Sequence, residues 1–152
     1  MAVWMRVWPG IRSHLPTRWP DWMMGAAALA MAAALTAQPA MFDLAPHYGV
    51  IASYASEEGC AMIVLLAGIC RVLGLGVNGT FESFRFSPHL RALAAFVGAV
   101  FWGLFTLGFV VSYLVAGTSL GPIVPWGVLA LIETINAGRA SWEMGTYSRR
   151  AA

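Results

Sequence analysis

The sequence predicts an all-α fold, an integral membrane four-helix bundle with both termini in the cytoplasm. Three observations predict it. From Leu90 to Ala116 the chain is an unbroken apolar run whose single charge is Arg91. As a helix rising about 1.5 Å per residue, that run reaches about 40 Å, enough to cross a hydrocarbon core about 30 Å thick with some tilt. Three further apolar runs, at about 22–38, 57–77 and 120–137, complete a set of four. Finally, all nine basic residues are arginines, and drawing the four spans leaves every one of them on the same side.

A soluble core helix is the alternative for 90–116, but such helices carry a polar stripe. Here the only residues with polar atoms beyond Arg91 are Trp102, Thr106, Ser112 and Tyr113. With 59% hydrophobic and 11% charged residues, the chain of 152 residues is too apolar for an ordinary soluble domain and has the length of one small bundle. The expected organisation is a tail at 1–21, a membrane domain at 22–138 and a second tail at 139–152.

The first tail mixes Trp4, Trp8 and Trp19 with Arg6, Arg12 and Arg18 and is interrupted by Pro9, Pro16 and Pro20. The prolines predict an irregular segment, and tryptophan beside arginine suits the headgroup layer of the cytoplasmic surface. The run that follows, Trp22 to Ala37, is short and alanine-rich. It reads as an uncleaved first span rather than a signal peptide, because the preceding segment is long and proline-broken and no clean Ala-x-Ala site ends the run. Ala26, Ala30 and Ala34 recur every fourth residue and predict a face small enough for a close neighbour.

Residues 38–56 form the longest loop on the far side and contain no basic residue. Phe42, Tyr48, Ile51 and Tyr54 predict that it folds back onto the bilayer surface or across the mouth of the bundle. It ends at Ser56-Glu57-Glu58, where the serine is placed to cap the second span and the carboxylates favour its positive end. That span holds Cys60 and Cys70, which a helix separates by about 15 Å, too far for a disulfide or a shared metal. They read as packing residues.

Asn78-Gly79 predicts a turn after the second span, and Pro88 precedes the third. Asn78-Gly79-Thr80 also spells a glycosylation acceptor, but the arginine distribution puts this loop inside the cell. A polar turn at Gly117-Thr118-Ser119 leads to the fourth span, with Pro122 and Pro125 in its first turns, where missing amide donors cost least. Arg6, Arg12, Arg18, Arg71, Arg85, Arg91, Arg139, Arg149 and Arg150 all lie on the cytoplasmic side. The opposite side carries only Asp43, Glu57 and Glu58.

Charges within a bilayer are costly and therefore mark candidate functional positions. Counted from the outer ends of their helices, Glu133 lies roughly 17 Å into the fourth span and Arg71 roughly 21 Å into the second. The similar depths predict that they face each other in the interior, with Asn136 one turn away as a hydrogen-bond partner. Such a group serves either as an interhelical clamp or as a proton-coupled site, and Arg71 alone could instead snorkel to the inner interface. On the third span, Ala95, Ala99 and Gly103 form a small-residue face for packing within the chain or for dimerisation.

Enzymatic readings find little footing. His14, His47 and His89 lie outside the spans, where facing haem ligands are not expected, and there is no Cys-x-x-Cys, His-Glu-x-x-His, phosphate-binding glycine loop or Gly-x-Ser-x-Gly. Asp43, His47 and Glu57 or Glu58 are too irregularly spaced to read as a metal site. The expectation is a non-enzymatic protein without cofactor or nucleic-acid partner, working in lipid with a second copy of itself or another membrane protein.

The combination Ser56-Glu57-Glu58, Arg71 with Asn78-Gly79, and Ser87-Pro88-His89-Leu90-Arg91 followed by Phe101-Trp102 resembles small multi-spanning membrane proteins of tailed phages and prophages of proteobacteria. The resemblance covers about residues 50–110. It implies a bacterial inner-membrane location and a phage accessory role, and it supplies no mechanism. The competing reading is a holin-like pore former or small transporter that uses Glu133 and Arg71.

Overall fold

A computed structural model describes the backbone of residues 2–38, 40–80 and 87–151, and the side chains of 12, 15–38, 40–76 and 88–145. The described residues are all-helical, with six α-helices and no strand. Four are long: α1 (Ala2–Ala37), α4 (Glu57–Thr80), α5 (Ser87–Ala116) and α6 (Ile123–Ala151). Two single turns, α2 (Met41–Leu44) and α3 (Gly49–Ala52), flank a 3-10 turn at Pro46–Tyr48.

The N-terminal segment departs from the irregular tail that its prolines predict: it is helical from Ala2. The helix absorbs the conflict at one point, Arg18, whose φ of −121° and ψ of 16° break the α1 path. Pro20 stands two residues on, and its ring has no amide hydrogen to give and no room behind it in a straight helix. The end of α4 differs as well. The turn expected at Asn78-Gly79 is helix, and the rest of that expected loop, 81–86, lies outside the described residues. At the other terminus α6 does not stop near 137 but continues to Ala151.

Helix α1 packs against α4, α4 against α5, and α5 against α6, each pair antiparallel. The α1–α4 contact is set by Gly68, where a Cβ would lie 2.9 Å from the Leu29 side chain, and by Gly25 beside Val72. The buried face of α1 is Met24, Gly25, Ala28, Ala32 and Leu35, whereas Ala26, Ala30 and Ala34 point outward. In so alanine-rich a helix every face is small, so spacing alone did not identify the packed one.

On α5 the expected face Ala95, Ala99 and Gly103 is only partly used. Ala95 is fully buried, Ala99 is half-buried, and a Cβ at Gly103 would meet nothing within 4 Å. The close approaches fall instead at Gly98, against Glu133, and at Gly108, against Ile51. Helix α5 ends at Gly117, whose φ of +62° is left-handed and whose N–H donates to the Tyr113 carbonyl at 3.0 Å.

Among the described residues, two helices are long and apolar enough to cross a membrane: Glu57–Gly76 within α4 and Pro88–Ala116 within α5. The sequence reading drew four. Alanine contributes little apolar surface to α1, and Glu133, Asn136 and Arg139 dilute α6.

Residues 40–56 cross one end of the helices. Phe42, Tyr48 and Ile51 are buried there against α5, while Tyr54 is exposed. Ser56 Oγ accepts the Gly59 N–H at 3.1 Å and so caps α4, and Glu57 Oε1 accepts the Phe42 N–H. Ser112 Oγ of α5 donates to the His47 carbonyl at 3.1 Å, pinning the segment from the other side.

The interior is mainly apolar but also holds charge, and much of the outer surface is apolar. Asp21, Arg71, Arg91, Glu133 and Asn136 are buried, while Leu66, Leu73, Phe96, Leu104, Leu107 and Leu131 are exposed.

Candidate functional site

The described charges in the interior form a column along the helix axes. At its centre Arg71 of α4 meets Glu133 of α6 in a two-point contact, Nη1 to Oε1 at 2.7 Å and Nη2 to Oε2 at 2.6 Å. Both side chains are 2% exposed. This is the parallel fork by which a guanidinium best matches a carboxylate. The site exists because its neighbours are glycines. Gly25 of α1 lies against the aliphatic part of Arg71, 3.6 Å from Cδ to an added Cβ, and any Cβ at Gly98 would overlap the Glu133 carboxylate.

Toward the chain termini the column continues through a second node. Arg91 of α5 donates through Nη2 to Asp21 Oδ2 and through Nη1 to Glu143 Oε2, each at 2.7 Å. Arg91 is 2% exposed, whereas Glu143 is 32% exposed and also meets Arg18 Nη2 at 3.5 Å. The node therefore reaches the surface at one end. Three guanidinium groups face three carboxylates, so the column is neutral as a whole.

The structure brings Arg71 and Glu133 together and buries Asn136 beside them on α6. It separates the small-residue face on α5 from this centre in role, since Gly98 and not Gly103 makes the room. The Arg91 node has no counterpart in the sequence reading. Asp21 and Glu143 lie in segments read as tails, where a charge carries no burial signal; only continued helix beyond those limits could have revealed it.

On its other side the column ends at an aromatic layer. Trp126 of α6 stacks on Phe105 at 4.7 Å with ring planes 8° apart, and meets Phe109 at 5.3 Å and Trp102 at 5.2 Å. Phe42 stacks on Tyr48 at 5.3 Å and meets Phe105 at 6.0 Å, so residues 38–56 add a second tier. Burial pushes the Tyr48 phenol above its ordinary pKa.

Chemically, the column offers neutralised charge and a few spare donors. Nε of Arg71 and of Arg91, Nε1 of Trp102 and Nδ2 of Asn136 are buried without a hydrogen-bond acceptor, and Asp21 Oδ1 lacks a donor. Among the described residues no three His, Cys, Asp or Glu side chains are grouped to hold a metal ion. Cys60 is buried and Cys70 exposed, both as free thiols. A groove of about 370 Å³ between α3, α4 and α5, lined by Ile51, Cys60, Ile63, Leu104 and Gly108 among others, is apolar and carries no charged group.

No protein-family model, no curated protein and no solved structure matches the chain.

Proposed function

We propose that the chain is a non-enzymatic, multi-pass protein of the bacterial inner membrane, a four-helix bundle with both termini in the cytoplasm. One observation carries this reading: α4, α5 and α6 expose many large apolar side chains, such as Leu66, Leu73, Phe96, Leu104, Leu107 and Leu131, while charged side chains face one another inside. In water that arrangement leaves large contiguous apolar surface exposed; in lipid it is the arrangement of lowest cost. Helices α4 and α5 supply the apolar hairpin, and α1 and α6 join it by packing and by charge pairing. The arginine distribution supports the orientation.

Within that membrane role, the protein acts through its lipid-facing surface on a second copy or another membrane protein, as a phage or prophage accessory factor. The internal ion pairs support the clamp reading, because each guanidinium is already neutralised within the chain. A second reading, a pore or small transporter using Glu133 and Arg71, is favoured by the unpaired buried donors of Trp102 and Asn136 beside that pair.

Expression from a tightly controlled promoter in a bacterial host tests both readings. Membrane potential and cell density are followed after induction, and membrane insertion is measured in the same culture. Insertion with a maintained potential is the expected result. Rapid depolarisation would favour the pore, and recovery of the chain in the soluble fraction would overturn the membrane reading itself.

A further inference from the structure

We propose that the apolar groove between α3, α4 and α5 is a binding site for one acyl chain of a phospholipid whose headgroup carries an ammonium, taken from the leaflet that meets residues 40–56. This inference rests on the membrane reading above. The groove measures about 370 Å³, within the range of small-molecule sites. Its floor is the buried trio Cys60, Phe101 and Phe105, and its sides are Ile63, Leu104 and Leu107, all three exposed.

Shape selects an acyl chain. Along α5 the lining runs from Phe101 to Val111, a rise of about 15 Å at about 1.5 Å per residue. That is half of a hydrocarbon core about 30 Å thick, the depth open to a chain in one leaflet. At the end nearest residues 40–56 the groove is walled by α3, whose Ile51 seats so closely on Gly108 that an added Cβ there would lie 2.6 Å from Ile51 Cγ1. A groove that faces hydrocarbon gains nothing from excluding water, so packing holds its occupant. A flexible chain fills an elongated apolar space and strands no polar group.

Charge selects the headgroup. Glu57 stands between Ala55 and Cys60, both of which line the groove, and one turn before Cys60 on the same face of α4. Its Oε1 accepts the Phe42 N–H, which leaves Oε2 to receive an ammonium. Tyr54, exposed at the same end of the lining, brings a phenolic donor for the phosphate. Residues 40–58 hold Asp43, Glu57 and Glu58 and no lysine or arginine, so an anionic headgroup meets repulsion there.

Native mass spectrometry of the full chain, purified from membranes in detergent, reads the site. The chain is offered phosphatidylethanolamine and phosphatidylglycerol with identical acyl chains. One retained phosphatidylethanolamine per chain, several-fold more abundant than the phosphatidylglycerol adduct, is the expected result. Leu104→Trp fills the groove from an exposed position and is expected to lose the adduct. Should that variant not insert, Ala55→Trp blocks the groove from the exposed loop end. Glu57→Gln is expected to keep an adduct while levelling the two lipids. Equal retention of both lipids by the unaltered chain overturns the proposal, as does an adduct undiminished by filling the groove. A dimer in place of the adduct assigns the groove to a second copy and overturns it too. Each of these failures leaves the membrane reading standing, whereas a chain absent from the membrane fraction overturns both.

Discussion

Arg71 and Glu133 stand 62 residues apart in the chain and meet through two parallel hydrogen bonds of 2.7 and 2.6 Å, each side chain 2% exposed. A pair so enclosed is worth little relative to two well-packed apolar residues, yet removing one member strands the other. Arg71→Ala or Glu133→Ala is expected to lose about 3–5 kcal/mol of stability. The exchange Arg71→Glu with Glu133→Arg recovers much of the loss, and so does the apolar pair Arg71→Met with Glu133→Leu. Unfolding in detergent by increasing denaturant measures all four, and a charge exchange worse than both single variants would refute the pairing.

Gly98 and Gly103 give a matched comparison on one helix. A Cβ at Gly98 collides with Glu133, while one at Gly103 meets nothing within 4 Å. Gly98→Ala should therefore destabilise by about 1–3 kcal/mol through overpacking. Gly103→Ala should stabilise by up to about 1 kcal/mol through helix propensity. Equal effects at the two positions would mean that Gly98 does not make room for the carboxylate.

The Arg91 node contains a strong contact and a weak one. Arg91 is buried against Asp21 and Glu143, so Arg91→Ala is expected to cost about 3–5 kcal/mol. Arg18 is partly exposed and 3.5 Å from Glu143, so Arg18→Ala costs less than about 1 kcal/mol, with a difference that shrinks as salt is added. The same unfolding assay at two ionic strengths separates them.

Tyr48 confers an alkaline limit on the segment that closes one end of the helices. Burial raises its pKa, so the folded chain holds the phenolic proton more tightly than the unfolded chain does. Its contribution is fully present below the ordinary tyrosine value of about pH 10 and is lost as pH rises through the higher folded value. Tyr48→Phe keeps the ring stacked on Phe42 and is expected to make the alkaline decline in stability shallower.

How much of this was legible in the sequence depends on which physical signal each residue carries. Arg71 and Glu133 stood out because a charge inside an apolar run is costly, and counting helical rise from the ends of the runs placed them at similar depth. Asp21 and Glu143 did not stand out, because they fall where the apolar runs have ended. The packed face of α1 was hidden by its own uniformity, since alanine at eight of the sixteen positions 22–37 leaves little period to read. Residues 38–56 announced burial through Phe42, Tyr48 and Ile51, but the ring contacts that fix them to α5 are long-range and have no local signature. The helical N-terminus went unread because three prolines argue against helix, and the chain meets that argument with one distorted residue, Arg18.

Both carboxylates that α6 brings to the column, Glu133 and Glu143, are made after the arginines they meet. As the chain leaves the ribosome, Arg71 is synthesised 62 residues before the group that neutralises it, while Arg91 finds Asp21 already present. A polypeptide cut short before α6 thus retains a guanidinium with no carboxylate to receive it. Closure of the interior therefore waits for α6, and a product cut short before it carries the mark of its own incompleteness.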